Sequence, residues 1–160
     1  MLDHLFSVSG MLNPSNSKCN ISYSFYLTQE YDAIQIHFVY KPKVLLNKTI
    51  SKKIIQDSVK RYTAYDRKNE LENWEKYLPV KNLLTIALSG PDGFRGCAHR
   101  QNHNQYINLS EDRASAGMLP GRIKPGLWTV TVSAHAVVTT RCEYRIQITG
   151  GEANDGLAAL

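Results

Sequence analysis

The sequence predicts a mainly β fold: an antiparallel two-sheet β-sandwich, jelly-roll-like, with an inserted helical segment. Three observations predict it. Apolar residues recur at every second position in several runs, the mark of strands with one buried face. Gly- and Pro-bearing turns separate those runs, as in sandwiches built from short strands. Over about 49–78 the apolar period changes to three or four, which is helical. A chain of 160 residues is expected to form one domain. It is assigned to 1–150, with a Gly-rich flexible tail over 151–160.

Each element follows in order. Phe6 to Leu12 reads as a first strand, ended by the Asn13-Pro14-Ser15-Asn16 turn cluster. Ile21, Tyr23, Phe25 and Leu27 alternate with Ser22, Ser24 and Tyr26. Ile34, Ile36, Phe38 and Tyr40 alternate with Gln35 and His37. The short polar connection between these two runs predicts an antiparallel pair. Ile50, Ile54, Ile55, Val59, Tyr62, Leu71, Trp74 and Leu78 carry the helical period, with a break near Ala64 to Lys68. Thr49 or Ser51 is placed to cap the start, and Pro79 to stop the end. Leu84, Ile86 and Leu88 return to period two, and Gly90-Pro91-Asp92-Gly93 fits a type I turn. Tyr106 to Leu109 is a short strand. Trp128, Val130, Val132 and Ala134, then Cys142, Tyr144, Ile146 and Ile148, mark the last two apolar faces. Both Trp74 and Trp128 fall on periodic apolar faces, so both are expected in the core.

Composition narrows the classes. Hydrophobic content of 42% and charged content of 21% are ordinary for a globular protein and argue against global disorder. The three cysteines, Cys19, Cys97 and Cys142, lack metal-ligand spacing and read as free thiols of a reducing, cytoplasmic compartment. No run approaches 18 apolar residues, so no membrane span is expected. The net charge of +5 is uneven: residues 41–81 hold eleven Lys or Arg against five Asp or Glu, and the remainder eight against nine. That segment reads as a solvated helix face, with a nucleic acid or other anionic partner as the alternative.

Few residues have the spacing that chemistry needs. His99 and His103 are four apart, a zinc spacing on a helix, but Asn102 and Asn104 place them in a loop. A third ligand would have to come from Cys97 or His135, and a solvated loop is the preferred reading. Arg95 and Arg122 are placed in the loops of the later strands. There a guanidinium grips a phosphate or carboxylate, or pairs internally with Glu111 or Asp112. Arg95, His99, His103 and Arg122 are therefore the candidate ligand-binding residues. Phe94 and Leu119 are apolar in turn-rich segments and either plug the sandwich end or, with Pro120, are candidates for contact with another domain. No nucleophile elbow, P-loop or dinucleotide fingerprint is present, so no catalytic residue, cofactor or resident metal is expected.

Five segments in order resemble one family. They are the run Ile21 to Leu27 followed by Tyr31 to Tyr40, Asn82 to Leu88 continuing through Gly93-Phe-Arg-Gly, Ala114-Ser-Ala-Gly-Met-Leu-Pro-Gly, Lys124-Pro-Gly-Leu-Trp, and Cys142-Glu-Tyr-Arg-Ile-Gln-Ile. Together they resemble the N-terminal β domain that precedes the catalytic domain in PHP-type metallohydrolases of the CehA/McbA group. In that family an H-x-H metal motif opens the catalytic domain, and no such motif follows Ile148 here. The helical stretch within 41–81 is also longer than the plain domain carries. The resemblance therefore implies a sandwich fold and a non-catalytic accessory role, flanking or docking a metal-dependent phosphoesterase. The alternative is a stand-alone sandwich that binds a carbohydrate or other small ligand.

Overall fold

A computed structural model describes residues 2–99 and 101–152. Eight strands form: β1 (Asp3–Leu12), β2 (Cys19–Leu27), β3 (Ala33–Lys41), β4 (Leu83–Gly90), β5 (Gly93–Ala98), β6 (Asn104–Ser110), β7 (Gly126–Ala136) and β8 (Cys142–Gly151). They make two four-stranded antiparallel sheets, ordered β1-β8-β3-β6 (sheet A) and β2-β7-β4-β5 (sheet B). The ladders pair first with last, second with seventh, third with sixth and fourth with fifth. A long hairpin folded over on itself gives that order, which is the eight-stranded jelly roll. The predicted β-sandwich is therefore the observed one.

That topology overturns the expected pairing of β2 with β3. The five-residue link 28–32 carries the chain across the sandwich, so β2 bonds β7 while β3 lies between β8 and β6. Each strand is amphipathic and each still faces the same core, so alternation alone cannot say which sheet it joins.

The inner faces meet as the periodicity requires. Ile34, Ile36, Phe38 and Tyr40 from β3 pack with Leu84, Ile86 and Leu88 from β4 and with Trp128, Val130 and Val132 from β7. Ile146 and Ile148 from β8 complete the layer. Trp128 is fully buried, and its indole N–H donates to the Lys124 carbonyl at 3.0 Å. Trp74, also expected in the core, is only half-buried on the insertion, with the Lys52 ammonium 5.6 Å above its ring.

The insertion between β3 and β4 holds α1 (Lys48–Tyr62), α2 (Arg67–Glu72) and a 3-10 turn (Trp74–Tyr77). Its expected break is real. The cap is neither Thr49 nor Ser51 but Asn47, whose Oδ1 accepts the Ile50 N–H at 3.0 Å. Ser51 lies one turn in and is buried with Ile55 and Val59. A short clamp closes the neck: the Leu45 N–H donates to the Val80 carbonyl, and the Asn82 N–H to the Lys43 carbonyl, both at 2.9 Å.

Most of the expected tail lies outside the described residues. Gly151 belongs to β8, paired with Ala33. No helix among the described residues is long and apolar enough to cross a membrane. Cys19, Cys97 and Cys142 are unpaired, and Cys142 is fully buried.

Candidate functional site

One end of the sandwich gathers the link 28–32, the β4–β5 turn and the long connection 111–125. Arg95 organises it. It was expected in a loop but lies on β5, because a bulge between Leu88 and Ser89 lets this short strand pair beyond the turn. Gly96 and Gly117, both at positive φ, allow the two backbones to approach there: a Cβ on either would strike the other segment's carbonyl. The Arg95 side chain turns inward, 5.4 Å over the Trp128 ring. Its nitrogens donate to the carbonyls of Leu119 (3.2 Å), Gly121 (2.8 Å) and Arg122 (3.1 Å). Burial holds its pKa below the usual guanidinium value. With its donors committed to three backbone oxygens, Arg95 fixes the 119–122 loop and has little left for an incoming anion.

Arg122 also has a partner, and it is neither Glu111 nor Asp112. Its Nε and a terminal nitrogen donate to the two Glu30 oxygens at 2.7 and 2.8 Å. This bidentate bond lowers the Glu30 pKa and raises that of Arg122. Glu111 and Asp112 instead line a cleft of about 200 Å³ with Glu30, Asp32 and Ser110. One guanidinium sits there among four carboxylates, so the cleft is acidic.

Beside it, the outer face of sheet B turns apolar. Tyr26 pairs with Leu127 across β2 and β7. One row along, Thr129 and Ser89 lead to Phe94 on β5. The Leu119 N–H donates to the Arg95 carbonyl at 2.8 Å, so the loop extends the sheet at its edge. Tyr26 (67%), Phe94 (61%), Leu127 (58%) and Leu119 (53%) are all well exposed, as is Pro120. Phe94, Leu119 and Pro120 thus fall on one surface. Tyr26 and Leu127 belong with them but were passed over. Their signal was visible: each is an apolar residue at a polar phase of an alternating strand.

The two loop histidines are not brought together as a chelating pair. The His99 ring lies 6.0 Å from that of His135 on β7, while His103 meets the Tyr40 ring at 6.2 Å on β3 in the other sheet. His135 is engaged by the Thr85 hydroxyl at 2.8 Å. Among the described residues no group of three His, Cys, Asp or Glu side chains is arranged to hold a metal ion.

No family model matches this chain, and no curated protein matches it. A crystal structure of a protein from Sulfurospirillum deleyianum is similar over 89% of this chain and 97% of its own, at 10% identity and a TM-score of 0.33.

Proposed function

We propose that this chain is a non-catalytic, cytoplasmic accessory domain that docks a PHP-type metal-dependent phosphoesterase through the end of sheet B. The observation that carries this reading is the exposed row of Tyr26, Leu127, Phe94 and Leu119. Four large apolar side chains on one surface, rimmed by the acidic cleft, have the anatomy of an interface: an apolar centre with a charged border. Arg95 adds preorganisation, because it holds the Leu119 loop in place and so lowers the ordering cost of association. The five ordered segments that resemble the CehA/McbA β domain name the partner. The paired end of β8, Gly151 beside Ala33, lies at the same end of the sandwich as this surface.

The test has two arms. The reading frame after Leu160 and its neighbouring genes are read for a domain opening with H-x-H, and that domain is titrated against this one. Association in the micromolar range is expected, weakened at least about tenfold by Phe94→Asp with Leu119→Asp. No PHP-type domain in either place, or binding untouched by the double substitution, would refute it.

A further inference from the structure

The outer face of sheet A has a different character. Residues 9–11, 143–145 and 39–41, three from each of three neighbouring strands, shape a groove of about 580 Å³. Ser9, Arg145 and Val39 stand side by side in one row of its floor, and Met11, Glu143 and Lys41 in the next. One row further along the same face come Ser7, Gln147, His37 and Tyr106. Successive rows on one face are about 7 Å apart.

The His37 and Tyr106 rings stack at 4.3 Å with an interplanar angle of 3°, and His37 Nε2 is bonded to Asn104 Oδ1 at 2.8 Å. The pair is therefore held in a fixed plane, with Tyr106 half exposed. The charges do not cancel. Glu143 is engaged by Arg141 at 3.6 Å, whereas Arg145 and Lys41 have no ion-pair partner among the described residues. The groove is thus net positive. Of the side chains its outer face presents, Met11 and Val39 are apolar and Ser9, Lys41, Glu143 and Arg145 are polar or charged.

We propose that this face binds an acidic oligosaccharide, a chain of sugar units bearing carboxylates. Its volume lies within the ordinary range for ligand sites. The groove-side face of the Tyr106 ring is covered by His37, so recognition rests on the polar and charged side chains. Gln147, Ser7 and Ser9 offer hydrogen bonds to hydroxyls, and the unpaired Arg145 fork matches a carboxylate bidentately, with Lys41 adding charge. The site lies on the sheet opposite the docking surface, so each can fail without the other.

Isothermal titration of the whole chain with tetragalacturonate tests this, with a neutral cello-oligosaccharide of equal length and citrate as comparisons. Tetragalacturonate is expected to bind, and Arg145→Gln and Lys41→Gln are each expected to weaken it at least about tenfold. Both positions are exposed, and unchanged melting curves confirm that the variants fold. Phe94→Asp should leave this binding intact. The proposal is overturned if tetragalacturonate does not bind, if binding survives both substitutions, or if the neutral chain or citrate binds equally well.

Discussion

The hydroxyls of Tyr23 and Tyr144 lie 2.5 Å apart and join the two sheets at the open side of the sandwich. Tyr23 stands on β2 in sheet B and Tyr144 on β8 in sheet A. The Tyr144 ring reaches its partner by crossing Gly10 on β1, where any Cβ would intrude on the ring. Burial first, and then the Tyr23 bond, raise the Tyr144 pKa well above the ordinary phenol value. Tyr144→Phe should cost about 1 kcal/mol, the net worth of one hydrogen bond. Gly10→Val should cost more, about 2 kcal/mol or above, because it displaces the ring as well. Denaturant unfolding of both variants checks the order. A milder effect for Gly10→Val would mean the ring moves aside without loss.

Asn82 should be the most sensitive polar position. It is fully buried where the insertion rejoins β4. Its Nδ2 donates to the Pro42 carbonyl at 2.8 Å and the Thr139 hydroxyl at 2.7 Å, while its Oδ1 accepts the Val138 N–H at 2.7 Å. Its carbonyl also accepts the Lys43 ammonium at 2.9 Å. Asn82→Ala keeps the main-chain bond to Lys43 but leaves the Pro42 carbonyl, the Thr139 hydroxyl and the Val138 N–H without their side-chain partner, at a cost of about 3 kcal/mol. Asn82→Asp keeps the acceptor and removes both donors, so it should be no better than alanine. Thermal melting of the pair tests this, and an aspartate that melts like wild type would contradict it.

Much of the architecture was legible in the sequence because the longer strands obey a period of two, whereas β5, whose burial does not alternate, read as loop. Ile34, Ile36, Phe38 and Tyr40, expected on one face, are all buried, as are Trp128 through Ala134 in alternation. Strand partners were not legible, because any amphipathic strand satisfies either sheet, and β2 and β3 were paired wrongly for that reason. Among site residues, Phe94, Leu119 and Pro120, read as apolar residues of turn-rich segments, are exposed. Arg95 and Arg122 were seen as cations, but their partners, three carbonyls and Glu30, lie more than 20 residues away in sequence. Asn82 had no local signal, since its partners come from positions 42 and 138–139.

Alkaline pH should weaken the fold through Cys142. Burial pushes its thiol up to about 11, with Lys43 acting in the opposite sense. An acid whose pKa is raised on folding keeps its proton in the folded state after the unfolded chain has lost it. Its stabilising contribution is complete below about pH 9 and declines as pH climbs towards 11, by at most about 1.4 kcal/mol per unit. Lys43, lowered by burial, runs the other way, and Tyr144, raised, runs the same way. The informative quantity is therefore a difference in slope. Cys142→Ala should be less stable at pH 7 yet lose stability more slowly between pH 9 and 10. Parallel curves would assign the alkaline loss to other groups.

Removing the Arg95 guanidinium should loosen one loop before it unfolds the domain. Arg95→Met keeps the stem over Trp128 but abandons the carbonyls of Leu119, Gly121 and Arg122. Amide exchange in 119–122 should rise at least about tenfold while β7 and β8 keep their protection. Uniform acceleration across both sheets would instead make Arg95 part of the global core.

The 160-residue chain alone should not hydrolyse phosphoesters when Mn²⁺, Zn²⁺ or Mg²⁺ is added. Two-metal hydrolysis needs several His and carboxylate groups converging so that the ions sit about 4 Å apart. Here His99 lies by His135, His103 by Tyr40, and His37 is stacked on Tyr106 and bonded to Asn104. The densest carboxylates, Glu30, Asp32, Glu111 and Asp112, surround Arg122, whose charge opposes a cation. Turnover of p-nitrophenyl phosphate and its bis-ester is expected to match a heat-killed control with each metal. Metal-stimulated turnover that vanished in the His99→Ala, His103→Ala double variant would instead make that loop an active site and end the accessory reading.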